Sequence, residues 1–259
     1  MTKSTYGTGC FMLLNTGSDA RASTHRLLTT PGYEIGDDRA YALEGSIFVA
    51  GAAIRWLRDK MCLADSAAET ETLARAARDD HGVTVIPAFV GLGARHWRPH
   101  LRGIIDGLTL DTTAADLVRA TLESIAFQTH DLTEAMFGDR GIAAGATKTA
   151  ALRVDGGLAQ NGWFVQFLAD VLDAPVEVPP SHETTAFWCC CPRRHRLRPV
   201  HRCSRFWRAM AIGPTPDAYN ACQPPYGLAR QLAWGDRTRV GLTGAHNDWR
   251  LGSTQSAAS

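Results

Sequence analysis

Thr5–Gly17 (TYGTGCFMLLNTG) limits the folds open to this 259-residue chain more than any other stretch. Phe11, Met12, Leu13 and Leu14 form a short apolar run that reads as a buried strand. Gly7 and Gly9 bracket Thr8 just ahead of it, so the backbone can come close to a bound group while Thr8 offers a hydroxyl. Hairpins also carry Gly-x-Gly for turn geometry alone, and these letters leave both readings open.

The pattern beyond it alternates strands and helices. Thr5–Asn15 and Arg39–Ala50 are predicted strands, with Leu27–Thr30 a short strand between them, an antiparallel start to a sheet. Gly51–Lys60 turns helical with Ile54 and Leu57 on one face, and Val83–Phe89 is a strand ended by Gly91-Leu92-Gly93. Val118, Leu122, Ile125, Leu132 and Met136 fall on one stripe of a helix over Ala114–Met136, and Thr113 with Asp116 forms a capping box at its start. A strand over Ala151–Val154 ends in Asp155-Gly156-Gly157, followed by a helix over Trp163–Leu172 and a short strand over Val176–Val178. Strand, Gly-Gly turn and helix bring backbone N–H groups and a positive helix end to one point, a seat for an anion. Simple close packing of strand on helix is the alternative for Gly156-Gly157.

Thr5–Gly17, Tyr41–Asp59, Val85–Trp97, Gly103–Gln128, Leu152–Gly157 and His182–Ala186 together resemble, in order, the C-terminal domain of the FGGY carbohydrate kinases of the glycerol kinase type. Gly103-x-Ile105-x-Gly107-Leu108, Asp116-Leu117 and Ala120-Thr121-Leu122-Glu123 look like the second FGGY signature with its spacing kept. The resemblance implies a ribonuclease H-like, actin-type ATPase α/β domain, incomplete, over residues 1–186. It implies ATP-dependent phosphorylation of glycerol to glycerol 3-phosphate, with ATP and Mg²⁺ as the groups used. Thr8 matches a residue that hydrogen-bonds the ATP phosphates, and Gly51 a nucleotide-contact glycine; Gly156, Gly157 and Asn161 match the loop that holds the adenosine and α-phosphate. Phe11 matches the aromatic that packs on the carbon backbone of glycerol, although its letters alone read better as a core aromatic.

Two positions depart from the pattern. Arg55 stands where the family has Gln, still able to serve phosphate, and Arg95 replaces the proline of Gly-Ala-Pro-Tyr/His-Trp, which loosens a loop otherwise fixed in φ. The family's catalytic aspartate lies upstream of the segment matched by Thr5–Gly9, with the Mg²⁺ ligands and the substrate clamp. The expectation is therefore half of a cleft, inactive alone, with no catalytic residue and no metal ligand of its own. A separately encoded N-terminal kinase half is the implied partner. A non-catalytic nucleotide-binding remnant or pseudogene product, and another sugar kinase such as a xylulokinase, are the rival readings.

The chain changes character near residue 186. Phe187–Gly213 carries seven arginines and no acidic residue, and residues 187–259 read as an aberrant Arg/Pro/Cys-rich tail. Trp188 is encoded only by TGG, which read one base later before Cys189 gives Gly, and the cysteines that follow become Ala or Val. The stretch then reads as GAAALAGIGCGLYTGVADFGGR, which looks like the family's small-residue helix, so a frameshift near Ala186 or Phe187 is the expectation. It accounts for His182, Cys189–Cys191, His195, His201 and Cys203 better than a zinc site does, and for the arginines better than a nucleic-acid patch does. A net charge of +1 argues against a nucleic-acid partner for the whole chain, and the absence of an 18-residue apolar run argues against a membrane span. With no apolar leader in MTKSTYG, the expected location is cytoplasmic.

Overall fold

The computed structural model describes residues 2–141 and 151–180. The expectations for the tail over 187–259 and for His182–Ala186 lie outside the described residues.

A six-stranded mixed sheet organises the chain, in the order β3-β4-β2-β1-β7-β8. Thr5–Asn15, read as one strand, is two: β1 (Thr2–Tyr6) and β2 (Cys10–Gly17) pair antiparallel across a turn at Gly7-Thr8-Gly9. The two glycines that supply the turn are what split it. Next, β3 (Leu28–Ile35) and β4 (Asp38–Ile47) form a hairpin, and β4 lies antiparallel to β2. The predicted buried run in β2 alternates instead. Met12 and Leu14 are fully buried, whereas Phe11 and Leu13 face outward, because successive strand residues point to opposite faces.

α1 (Gly51–Asp59) follows, burying Ala53, Ile54 and Leu57. α2 (Glu69–Ala76) has no counterpart in the sequence reading. The strand expected over Val83–Phe89 shrinks to β5 (Thr84–Ile86), which pairs with β6 (Ile104–Asp106) in a separate two-stranded ladder.

The long α3 (Ala114–Arg140) carries both halves of its capping box: the Thr113 Oγ1 accepts the Asp116 N–H at 3.3 Å, and Asp116 accepts the Thr113 N–H at 2.9 Å. It ends at Gly141, whose φ of 70° suits a residue without a side chain. α3 then returns the chain to β7 (Leu152–Asp155), parallel to β1. A 3₁₀ turn (Gly157–Gln160), α4 (Gly162–Leu172) and β8 (Val176–Glu177) complete the order.

α3 and α4 pack on one face of the sheet. The buried Tyr6 links both, donating or accepting a 2.9 Å hydrogen bond with Thr129 Oγ1 and meeting the Phe164 ring edge-on at 5.2 Å. Gly45 lets α3 come close, since a methyl there would stand 2.8 Å from Leu132 Cδ2. Near the end of α3, the Asp139 carboxylate gathers the Ser23 and Thr24 hydroxyls, the Thr24 N–H and the His25 Nδ1, and so pins the segment that leads into β3. Burial opposes ionisation of Asp139, but these hydrogen bonds outweigh it and hold the carboxyl at about 2.

Candidate functional site

β1 and β7 are parallel neighbours, with Thr5 opposite Asp155, so their carboxyl ends lie side by side. From there β1 turns to β2 on one side, and β7 leads through α4 to β8 on the other. Such a reversal of direction opens a crevice at the carboxyl ends of the strands, where α/β sheets receive ligands. The Gly7–Gly9 hairpin and the Gly156-Gly157 turn follow these carboxyl ends, with Gly156 against Tyr6, and α1 begins against the hairpin.

The hairpin is stapled to α1. Ala50 and Ala52 donate to the Thr8 carbonyl at 3.0 and 2.9 Å, and Gly51 donates to the Gly7 carbonyl at 3.0 Å. Helix-start N–H groups, which lack intrahelical partners, are satisfied by the turn. Gly51 is required for that fit, because a side chain there would strike the Gly7 carbonyl. One turn into α1, Arg55 Nη2 donates to the Thr8 Oγ1 at 3.1 Å. That bond uses an oxygen lone pair of Thr8, leaving its hydroxyl proton to donate elsewhere. Thr8, Gly51 and Arg55, three of the residues singled out in the sequence, are thus one local unit.

The two adjacent glycines have opposite reasons. Gly156 has φ of 92°, and a Cβ there would strike the Tyr6 carbonyl, so close packing of turn on strand accounts for it. Gly157 has no positive φ, and no atom of the other described residues lies within 4 Å of where its Cβ would be. Packing among the described residues gives no reason for a glycine at 157.

The expected anion seat at the start of α4 is already filled by the chain itself, which corrects the sequence reading. Glu71 of α2 accepts the Gly162 N–H at 2.8 Å and also the Trp163 N–H. Burial works against ionisation of Glu71, but Arg75 and these amides outweigh it and hold the carboxyl below its ordinary value. Asn161 is buried beside it as the helix cap. Its Oδ1 accepts the Phe164 N–H at 2.9 Å, and its Nδ2 donates to Thr70 Oγ1 at 3.2 Å. What remains for a ligand anion is the opening N–H groups of the 3₁₀ turn and the Thr8 hydroxyl.

Phe11 is 56% exposed, so the core-aromatic reading does not hold. It stands opposite Ser46 of β4, whose carbonyl accepts the Ala94 N–H at 2.8 Å from the loop carrying Arg95. That loop is tied down rather than loosened. Arg95 has φ of 71°, which proline cannot adopt, and its Nη1 donates to Asp131 Oδ1 at 3.0 Å. His96 Nε2 lies 2.8 Å from Asp131 Oδ2, and the Trp97 indole donates to the Arg26 carbonyl at 2.7 Å. Burial opposes ionisation of Asp131, yet His96 and Arg95 draw its carboxyl below the usual value. Asp131, Thr70 and Glu71 escaped the sequence reading; for Glu71 the signal was its spacing of four from Arg75, which pairs with it at 2.7 Å.

Among the described residues, no three His, Cys, Asp or Glu side chains converge where they could hold a metal ion. The implied Mg²⁺ finds no ligand set among these residues. No helix of the described residues is long and apolar enough to cross a membrane.

Known proteins match this arrangement. The glycerol kinase of Gluconobacter oxydans is 57% identical over 186 residues, 72% of this chain and 35% of that protein. That of Petrotoga mobilis is 56% identical over 186 residues, 72% of this chain and 36% of that protein. The chain therefore spans about a third of the length of these relatives. The crystal structure of Plasmodium falciparum glycerol kinase with ADP superposes with a TM-score of 0.65 at 39% identity, covering 72% of this chain and 36% of that one. A xylulose kinase from Rhodospirillum rubrum, at 23% identity and a TM-score of 0.57 over 69% of this chain and 34% of that one, shares the fold. Residues 2–187 match the C-terminal domain of the FGGY family of carbohydrate kinases, and the chain belongs to that family.

Proposed function

We propose that this chain is the nucleotide-binding part of an ATP-dependent glycerol kinase, receiving ATP in the crevice between β1 and β7. The observation that carries the reading is Gly157, a glycine at the carboxyl end of a parallel strand with open space beside it among the described residues. The Thr8 hydroxyl, turned outward by its bond from Arg55, donates to a phosphate oxygen, and Arg55 adds a positive charge beside it. Gly51 and Gly156 hold the two turns in place. Asn161 acts by fixing the end of the 3₁₀ turn that Gly157 begins. Phe11, exposed on the sheet face beside the Arg95 loop, offers an apolar surface to the glycerol carbons.

In phosphoryl transfer, positioning and charge stabilisation supply most of the catalysis. The part assigned to these residues is to orient the phosphates while a glycerol hydroxyl attacks the γ-phosphorus. The strand order, an antiparallel hairpin side followed by strands parallel to β1, supports an actin-type, ribonuclease H-like domain. Glycerol is the favoured acceptor because the glycerol kinase relatives are 57% and 56% identical over 186 residues and the solved glycerol kinase is 39% identical. Turnover is proposed to require the portion of the relatives beyond the matched third, with this chain alone binding nucleotide without phosphorylating glycerol.

Calorimetric titration of ATP into the wild-type chain and Gly157→Val tests the reading. A branched side chain in the open space should weaken ATP binding at least about tenfold, roughly 1.4 kcal/mol. Equal affinity in both chains would refute it.

A further inference from the structure

Thr70 and Glu71 are consecutive on α2, and both reach the first residues of α4. Thr70 is fully buried; its hydroxyl accepts the Asn161 Nδ2 and donates to the Ala67 carbonyl. Glu71 takes the Gly162 and Trp163 N–H groups, and Arg75 holds the same carboxylate from one turn further along α2. The fit is tight, since a side chain at Gly162 would bring its Cβ to 3.1 Å from Glu71 Oε1.

Two consequences follow. A diphosphate entering the crevice cannot use the start of α4, whose donors and positive end are already answered by an internal carboxylate. It is directed to the 3₁₀ turn instead. Asn161 closes that turn, donating its N–H to the Leu158 carbonyl, while its side-chain amide is held on one side by α4 and on the other by α2.

We infer that Thr70 and Glu71 are positioning residues of the nucleotide loop: they lock the start of α4, hold the Gly157–Gln160 turn in register with the Thr8 hairpin, and exclude phosphate from the helix end. The inference rests on the nucleotide reading above.

The test uses the full chain as wild type, Glu71→Gln, Glu71→Ala and Thr70→Val, with ADP affinity by calorimetry and amide hydrogen exchange by NMR. Glu71→Ala should weaken ADP binding by about tenfold or more, and Glu71→Gln, which keeps an acceptor for the Gly162 N–H, should return it to within about threefold of wild type. Thr70→Val, which keeps the volume but cannot bond Asn161, should fall between them. Exchange of the Leu158–Asn161 amides should quicken in Glu71→Ala while that of Ser4, in the middle of the sheet, stays unchanged. Folded Glu71→Ala with wild-type ADP affinity would overturn the inference and leave the nucleotide reading standing. Unchanged exchange in the turn would overturn it whether or not ADP binds. A wild-type chain without affinity for ADP would overturn the nucleotide reading and, with it, the inference.

Discussion

Replacing Gly156 and Gly157 by alanine, one at a time, should separate stability from binding at two neighbouring positions. At Gly156 the backbone lies at φ 92° and ψ 176°, a region open essentially only to glycine, which penalises any residue with a Cβ by about 1–2 kcal/mol. The methyl would also be driven against the Tyr6 carbonyl, and overpacking of that kind costs a further ~1–3 kcal/mol. Together these predict a loss of about 2–5 kcal/mol, which lowers Tm by roughly 5–15 °C in a domain of this size. At Gly157 the methyl meets no other described residue within 4 Å and φ is unexceptional. Removing glycine's freedom in the unfolded chain should then raise stability by about 0.4–1 kcal/mol. ADP affinity should nevertheless fall in Gly157→Ala, because the methyl occupies space left for the ligand. Circular-dichroism melts and calorimetry on the same preparations read both quantities. If Gly157→Ala melts as far below wild type as Gly156→Ala, Gly157 serves packing and the argument from its open space fails.

Three further outcomes are expected. The Asp139 carboxyl is depressed from 3.8 to about 2, so its contribution is complete above the unfolded value and is lost as pH falls toward 2; urea midpoints should show a loss of roughly 2 kcal/mol across that window for wild type and a flatter profile for Asp139→Asn. Arg95→Pro, which restores the residue usual in the family, should destabilise by about 3 kcal/mol or more because proline cannot reach φ of 71° and the Asp131 pair is lost; a melt equal to wild type would show that the loop geometry is wrong. Phe11→Ala should change stability by less than about 0.5 kcal/mol, since the ring is 56% exposed. A loss of several kcal/mol would return Phe11 to the core.

Much of the fold was legible because its signals are local. The capping box at Thr113 and Asp116 placed the start of α3, and its apolar stripe carried the helix to Met136; the last turn, to Arg140, is held instead by the contacts that Asp139 makes with Ser23, Thr24 and His25. α2 was not legible: it buries only Thr70 and Ala74, so it has no apolar stripe to read. β6 is three exposed residues whose existence depends on pairing with β5, a non-local fact. At the site, the glycine turns and Thr8 could be found because their residue types are distinctive. What the glycines do could not, since Gly156 and Gly157 are identical letters and only their φ angles and neighbours show that the first is closely packed and the second is not. The occupation of the α4 start by Glu71 required knowing that residues 71 and 162 meet.

The most direct test of the nucleotide crevice is a map of backbone amide shifts as ADP is titrated into the isotope-labelled full chain. The largest changes should fall on Thr8, Gly157 and Leu158, with Gly162 and Trp163 nearly still because Glu71 already holds their N–H groups. Shifts concentrated on Gly162 and Trp163, or an unchanged Gly157, would contradict the account.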